Sequence, residues 1–184
     1  MFDHLVVVHG APGAGKTWLS SRLAPLLGYP LLSRDAIKEA MYDAIVKPDG
    51  IDDLAWSREV GAAAFRVFLD LIPSLGPKLV IDAHFQARFG ANEDLRKLDP
   101  CATQVFVRAP AEVIVRRFRE RMPSQHACHR PYPLPTVEQI EPYMQHFGVL
   151  DLDGPVLEID TSEAVDVEDV ARWVREHAHI DGEI

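Results

Sequence analysis

The chain has 184 residues, of which 47% are apolar, with a formal net charge of −9 and two cysteines. This length suits one α/β domain with a sizeable core and is short for two, and two cysteines are too few for a disulfide framework. The acidic balance disfavours a long nucleic-acid groove, which needs clustered Lys and Arg, and no apolar run approaches the ~18 residues of a membrane span. The N-terminal residues lead straight into the first predicted strand and leave no room for a signal peptide, so we expect a cytoplasmic protein.

The first predicted strand, Leu5–Val8, runs into a glycine-rich loop. Gly10–Thr17 fits the pattern G-x-x-x-x-G-K-[ST], and a helical stretch to Leu27 follows. In this context the glycines let successive N–H groups point at one anion, and the new helix directs its positive dipole end to the same place. Lys16 can reach the β- and γ-phosphates of a nucleoside triphosphate, and the Thr17 hydroxyl can bind Mg²⁺. The residues predicted to hold the nucleotide here are Gly10, Ala11, Pro12, Gly13, Ala14, Gly15, Lys16 and Thr17.

Helices and strands continue to alternate up to Asp82. Gly28 is placed to end the first helix, and a short strand follows at 31–33. Helical patterns cover 36–46 and 52–71, the second with apolar residues at helical spacing. A third strand, 78–82, is apolar until it ends in a carboxylate.

The second half of the chain repeats this alternation. The predictions in order are helix 91–98, strand 103–107, helix 110–121, a loop with four prolines at 123–135, a helix from 136, strand 156–160 and a last helix to 177. Thr161 and Ser162 are predicted to cap the last helix. Strands that alternate with helices predict a parallel sheet covered on both faces, in one domain spanning 1–184.

Ligands of such a sheet collect at the carboxyl ends of its strands, where two aspartates stand. Asp35 follows the second strand and fits a helix N-cap, a general base that takes the proton of an acceptor hydroxyl, or both. Asp82 ends the third strand, where a carboxylate would organise a Mg²⁺ shell; the alternative is a solvated strand-end residue. His84 could contact substrate or simply lie at a strand end.

Arg117 and Arg121 are four residues apart and therefore share one face of a helix. Because a proline-rich loop follows, they suit a lid at 122–135 that closes over ATP, with guanidinium groups stacking near the base and neutralising charge at the γ-phosphate. The alternative is a solvated basic face that pairs with Glu112 or Glu120.

Three potential metal ligands, His126, Cys128 and His129, crowd into this loop. A structural zinc site needs four well-spaced ligands, and no partner pair stands out. The sequence therefore does not favour a zinc site.

Taken together, these residues resemble the small P-loop kinases that include polynucleotide 5′-hydroxyl kinases, chloramphenicol phosphotransferase and the zeta toxins. The resemblance rests on Gly10–Thr17, Ser33-x-Asp35-x-x-Lys38, Val80–Ala83, and Pro110-x-Glu112 followed by Arg117-x-x-x-Arg121, and it extends to Asp160–Ser162. It implies a P-loop NTPase fold, with a five-stranded parallel sheet in the order 2-3-1-4-5 and a lid. It also implies a catalytic set of Asp35 as base, Lys16 on the phosphates and Arg121 as a lid residue, with Arg117 also on ATP.

Two positions depart from the pattern of these kinases. Relatives carry Arg where Lys38 stands, a residue that grips an acceptor's phosphate, and Lys lacks the bidentate fork. Relatives also show Asp-Ala-Thr-Asn where this chain has His84 and Phe85 at the last two places, which predicts a more apolar acceptor pocket. The residues expected to contact the acceptor are Asp35, Lys38, Asp82 and His84, and candidate linings are Tyr42, Trp56 and Phe65.

Three functions are compatible with these observations. The first is an ATP- and Mg²⁺-dependent kinase that phosphorylates a hydroxyl of a small molecule such as an antibiotic, a sugar or a nucleoside derivative. The second is a 5′-hydroxyl polynucleotide kinase, which the acidic balance disfavours. The third is a nucleotide-dependent switch or binding module with weak hydrolysis, which gives no reason for a carboxylate at Asp35.

Overall fold

Five parallel strands form one sheet in the order β2-β3-β1-β4-β5. The structure is a computed structural model that describes residues 2–86 and 90–178. The strands are β1 (His4–Gly10), β2 (Leu31–Ser33), β3 (Lys78–Asp82), β4 (Thr103–Arg108) and β5 (Val156–Asp160). This order and the parallel pairing confirm the predicted fold class.

Helices cover both faces of the sheet. They are α1 (Lys16–Leu27), α2 (Arg34–Ala44), α3 (Asp53–Leu71), α4 (Ala91–Leu98), α5 (Ala111–Arg121), α6 (Val137–Met144) and α7 (Val167–Glu176). Each predicted helix is present, with ends that differ by a few residues. The loop predicted after α5 contains two single 3₁₀ turns, Met122–Ser124 and Ala127–His129. Among the helices of the described ranges, none has the length and hydropathy needed to cross a bilayer.

The central strand β1 is buried along all seven residues. Side chains alternate across a strand, so Val6 and Val8 join a core with α1, α5, α6 and α7, while Leu5 and Val7 join a second core with α3 and α4. A strand that is buried on both faces is mostly apolar, which explains the continuous run Leu5–Val8; His4 and His9, on either side of this run, are buried with it.

Gly10 ends β1 and lets the following loop leave the sheet close to β4. Its φ is 142°, and a Cβ on Gly10 would lie 2.0 Å from the carbonyl oxygen of Val107. No other residue fits both the torsion and the contact. The loop therefore starts directly at the carboxyl edge of the sheet, where β2 and β3 also end with Ser33 paired to Asp82.

The predicted cap of the last helix is wrong. α7 begins at Val167, and the Asp166 side chain caps it by accepting hydrogen bonds from the backbone N–H groups of Glu168 and Asp169. Ser162 instead donates its hydroxyl to Asp160, at 2.6 Å. The connection after β5 is therefore longer than the sequence pattern indicated.

Replacing Asp166 by alanine is expected to lower the free energy of unfolding by about 1 kcal/mol, because two N–H groups of α7 lose their acceptor. For a chain of this size this corresponds to a fall in Tm of roughly 2–4 °C. Thermal unfolding measures the change. Ser162→Ala is the control and should change the free energy by less than about 0.5 kcal/mol; an equal loss in both variants would contradict the assignment of the cap.

Candidate active site

The glycine-rich loop turns into α1 at Lys16, two residues earlier than predicted. Gly15 precedes the helix with a φ of 102°, and a Cβ there would lie 3.2 Å from the Thr161 hydroxyl oxygen. Glycine is therefore required both by the torsion and by the close approach of Thr161, the residue after β5. The loop presents the N-terminal end of a helix of 12 residues, which favours an anion.

Arg117 holds this loop from behind. Its Nη1 donates to the carbonyl oxygens of Gly13 and Ala14, at 3.3 and 3.2 Å, and to the Thr161 hydroxyl, at 2.9 Å. Its Nη2 donates to the Thr161 carbonyl oxygen at 2.7 Å, and the Thr161 hydroxyl donates to the Ala14 carbonyl oxygen at 2.5 Å. Sequence reasoning predicted Arg117 as a lid residue; the structure places it as a clamp between α5, the loop and the end of β5. The sequence did not identify Thr161 as a site residue, although Thr161 follows a strand at the edge of the sheet where ligands collect.

The Lys16 side chain is almost completely buried and its Nζ donates to the Ala11 carbonyl oxygen at 2.9 Å. Burial lowers the pKa of this ammonium group, and the carboxylates of Asp82 and Asp35 act in the opposite direction. An ammonium group in this state gains from an anion brought to it. Lys16, the residue predicted to bind the phosphates, therefore lies at the loop, and its ammonium group is short of neighbouring negative charge.

Asp82 is 3% exposed, so the alternative of a solvated strand-end residue is wrong. Its Oδ2 accepts hydrogen bonds from Thr17 Oγ1 at 2.8 Å and from Ser20 Oγ at 3.1 Å. Burial raises the pKa of this carboxyl group, against the influence of Lys16 and of the Thr17 hydroxyl. The hydroxyl and the carboxylate that the sequence predicted for Mg²⁺ are thus in direct contact. Ser20 was missed, although it lies one turn after Thr17 on the same helix face.

Asp35 lies in the first turn of α2, after the N-cap position occupied by Ser33, so the N-cap interpretation is wrong. Burial alone would raise the pKa of Asp35, but nearby cations, first among them Arg34, hold it below its ordinary value. Arg34 Nη1 donates to Asp35 Oδ1 at 2.8 Å. Asp35 is therefore a carboxylate at neutral pH, as a proton acceptor must be.

One cleft of about 790 Å³ joins the glycine-rich loop, Thr17 and Asp35, whereas Asp82 is not on its wall. Predicted site residues on its wall are Pro12, Gly13, Gly15, Lys16, Thr17, Asp35, His84, Arg117 and Arg121. Trp18, Glu120, Thr161, Glu163 and Val165 also line it and were not predicted. Burial, followed by Arg34 and Lys16, lowers the pKa of His84 to about 3, so this imidazole is neutral. The loop and the candidate base share one cleft.

Arg121 lies at the rim of this cleft with its guanidinium 4.3 Å from the centroid of the Phe118 ring. Arg116, five residues earlier on the same helix, is exposed and pairs instead with Glu120. The two predicted arginines thus both reach the cleft, but only Arg121 is exposed in the manner expected of a lid residue.

Lys38 does not line the cleft, contrary to the role predicted for it. It is 2% exposed, and its Nζ donates to Ser57 Oγ at 2.8 Å and to the Cys128 carbonyl oxygen at 3.4 Å, over the ring of Tyr132. The ammonium group joins α2, α3 and the segment after α5. In this arrangement it holds protein groups together.

The predicted aromatic lining belongs mainly to the core. Phe85 is 1% exposed and packs with Phe65 and Phe68 beneath the sheet. Trp56 is also buried, and Tyr42 meets the ring of His126 edge-on. The more apolar acceptor pocket predicted from Phe85 is therefore not formed by that residue.

The segment predicted as a lid packs on α2 and α3. His126 Nε2 lies 3.2 Å from the Asp43 carboxylate and His129 Nε2 lies 3.1 Å from that of Glu39. Cys128 is completely buried, and burial raises the pKa of its thiol to about 11. Within residues 2–86 and 90–178, no three His, Cys, Asp or Glu side chains converge as a metal site requires. The histidines have carboxylate partners instead.

The fold and the glycine-rich loop define a kinase-like P-loop nucleotide-binding domain. The sequence profile of the AAA domain family matches residues 5–131, and the chain belongs to this family.

Solved structures share the fold over nearly the whole chain. A provisionally assigned kinase of Chloroflexus aurantiacus J-10-fl is 30% identical, with a TM-score of 0.81 over 96% of this chain and 98% of that one. A sugar kinase of a Janibacter species is 18% identical (TM-score 0.60, 95% of each chain). The shikimate kinase of Acinetobacter baumannii, in complex with shikimate, is 19% identical (TM-score 0.54, 94% of this chain and 91% of that one). Comparison with curated proteins gives no match.

Proposed function

We propose that the protein is an ATP-dependent kinase that transfers the γ-phosphate to a hydroxyl of a small organic molecule. The observation that carries the proposal is the shared cleft, with the glycine-rich loop on one wall and the ionised Asp35 carboxylate on another. A nucleotide switch gives no reason for a carboxylate at Asp35, which lines the same cleft as the glycine-rich loop. The relative that is 30% identical is itself provisionally assigned as a kinase.

In this proposal each group has a defined task. The loop N–H groups and Lys16 hold the phosphates, and Arg121 offsets negative charge at the γ-phosphate. Asp35 takes the proton of the acceptor hydroxyl while the oxygen of that hydroxyl bonds to the γ-phosphorus. The bond from that phosphorus to the β–γ bridging oxygen breaks, and ADP leaves.

Thr17 in α1 and Asp82 at the end of β3 fit a divalent cation. Thr17 and Asp82 are hard oxygen donors in contact with one another, as Mg²⁺ prefers. Mg²⁺ bound by Thr17 and Asp82 would neutralise phosphate charge. Ser20 orients the Asp82 carboxylate through its hydrogen bond.

We further propose that residues 1–184 work as one kinase domain in which the segment 122–135 is the lid. In support, Lys38 and Ser57 both donate to the Cys128 carbonyl oxygen, so this segment is docked on α2, the helix that carries Asp35, and on α3. It would then shape the space beside Asp35.

A panel of hydroxyl compounds with γ-labelled ATP and Mg²⁺ tests the function. The panel contains sugars, antibiotics, nucleosides and an oligonucleotide with a free 5′-hydroxyl. Label transfer to a small molecule supports the proposal. Transfer only to the oligonucleotide, with binding that weakens steeply as salt rises, would identify the polynucleotide kinase instead. ATP binding without transfer to any compound would contradict both.

Replacing Arg117 by methionine is expected to raise the KM for ATP about tenfold, a loss of about 1.4 kcal/mol, because the loop carbonyls lose their donor. Steady-state kinetics with varied ATP measures the effect. Arg116→Met is the matched control on the same helix, where the side chain is exposed and pairs with Glu120. Equal KM values in the two variants would show that Arg117 does not order the loop.

A further inference from the structure

Arg34 bridges the candidate base and the neighbouring helix. Its Nη1 donates to Asp35 Oδ1 at 2.8 Å, and its Nη2 donates to the carbonyl oxygen of Gly61 in α3 at 3.1 Å. The side chain is only 12% exposed. A guanidinium group with two fixed anchors restricts the carboxylate that it binds.

Gly61 leaves the room that this bridge needs. It lies inside α3, where glycine is a poor helix former. A Cβ there would lie 3.1 Å from Arg34 Nη2 and 3.5 Å from Lys38 Cε. The first distance is tighter than an ordinary contact, so a side chain at this place would push the guanidinium by a few tenths of an ångström. The position of the Arg34 guanidinium therefore depends on glycine at position 61.

We infer that Arg34 is a positioning residue for phosphoryl transfer, which aims the Asp35 carboxylate through its bond to Oδ1 while the Gly61 carbonyl fixes the guanidinium. This rests on the proposed function, in which Asp35 accepts the proton of the hydroxyl. With Oδ1 held by Arg34, Oδ2 is the oxygen assigned to the proton. Sequence reasoning missed this role, since adjacency to Asp35 does not reveal an anchor in another helix.

The charges around Asp35 support the assignment. Burial raises the pKa of Asp35, and Arg34 is the strongest of the influences that lower it. In the described part of the chain, the charged or titratable groups that face it from other elements are Lys16, Asp82, His84, Arg121, Cys128 and His129. His84 is itself held neutral at ordinary pH, so loss of Arg34 leaves burial less opposed and moves the pKa of Asp35 upward.

The decisive measurement is the pKa of the Asp35 carboxyl group by carbon-13 NMR, together with turnover. Arg34→Met should raise this pKa, move the acid limb of the kcat profile to higher pH and lower kcat about 10- to 100-fold through misplacement of the base. Turnover is measured as phosphate release from ATP to water with Mg²⁺, and to any acceptor found in the panel. Arg66→Met, an exposed arginine paired with Asp70, is the control and should leave all three unchanged.

Two further variants separate charge from geometry. Arg34→Lys keeps a cation but cannot bond to both anchors, so the pKa should stay near that of the parent while kcat falls. Gly61→Ala should lower kcat without lowering the unfolding midpoint, because alanine favours the helix. Gly148→Ala, where an added methyl meets open space, is its control.

The outcomes distinguish the inference from the function. If Asp35→Asn loses turnover but Arg34→Met changes neither the Asp35 pKa nor kcat, Arg34 is not a positioning residue and the kinase proposal stands. If Asp35→Asn keeps full turnover, the proposed base is wrong, whatever Arg34 does to the carboxyl pKa. Should Arg34→Met fail to fold, normal kcat in both Arg34→Lys and Gly61→Ala would overturn the inference.

Discussion

Replacing Lys16 by methionine is expected to reduce kcat/KM for ATP by about 10²–10³-fold, the usual loss when one donor to developing charge is removed. The chain should remain folded, because burial already disfavours the charged ammonium group. A methionine of similar length removes a desolvation cost and sacrifices one hydrogen bond, to the Ala11 carbonyl. Kinetics and urea unfolding on the same preparation test both statements.

Lys47→Met is the matched control for this prediction. Lys47 is partly exposed and pairs with Asp53, far in sequence from the loop, and its loss should leave kcat/KM unchanged. Full activity of Lys16→Met would show that the glycine-rich loop does not bind the phosphates as proposed. A large fall in the urea midpoint would instead show that the ammonium group supports the fold.

Replacing Asp35 by asparagine should lower kcat at least about 10²-fold, the scale of a lost general base, with little change in the affinity for ATP. The amide keeps the shape and a hydrogen bond but cannot accept the proton. Because the pKa of Asp35 lies below its ordinary value, the parent should hold its base form throughout neutral pH. Activity should fall through this group only at pH values below the ordinary pKa of an aspartic acid.

Nucleotide titration and phosphate release together measure this effect. Asp70→Asn, on the exposed face of α3 and paired with Arg66, is the control. A variant at Asp35 that turns over normally would exclude the carboxylate from the reaction, and one that loses ATP affinity in proportion to kcat would indicate a binding role.

The sequence predicts those parts of the fold that depend on local patterns. Leu5–Val8 is apolar at every position because β1 is buried on both faces, and the register then brings Val8 and Ser33 level with Asp82. Glycine at Gly10 and Gly15 follows from torsions that other residues avoid. These features depend on residues that are neighbours in the sequence, so the loop and the two carboxylates could be predicted from it.

Contacts between distant segments are what the sequence conceals. Lys38 and Cys128 meet across 90 positions and Arg117 and Thr161 across 44, and nothing in either local pattern identifies the partner. A lysine four residues into a helix has the same appearance whether it grips a ligand or a backbone carbonyl. The predicted cap of α7 failed for a related reason, because Thr161 is engaged with the phosphate loop.

The clamp made by Arg117 and Thr161 has a thermodynamic consequence. The carbonyls of Gly13 and Ala14 are already fixed from behind, so the loop loses its conformational entropy when the chain folds and not when a nucleotide arrives. We therefore expect a preorganised binding site, to which a nucleotide associates in a simple one-step process. Small phosphate mimics should bind although they lack the nucleotide base, because the loop does not depend on that base for its order.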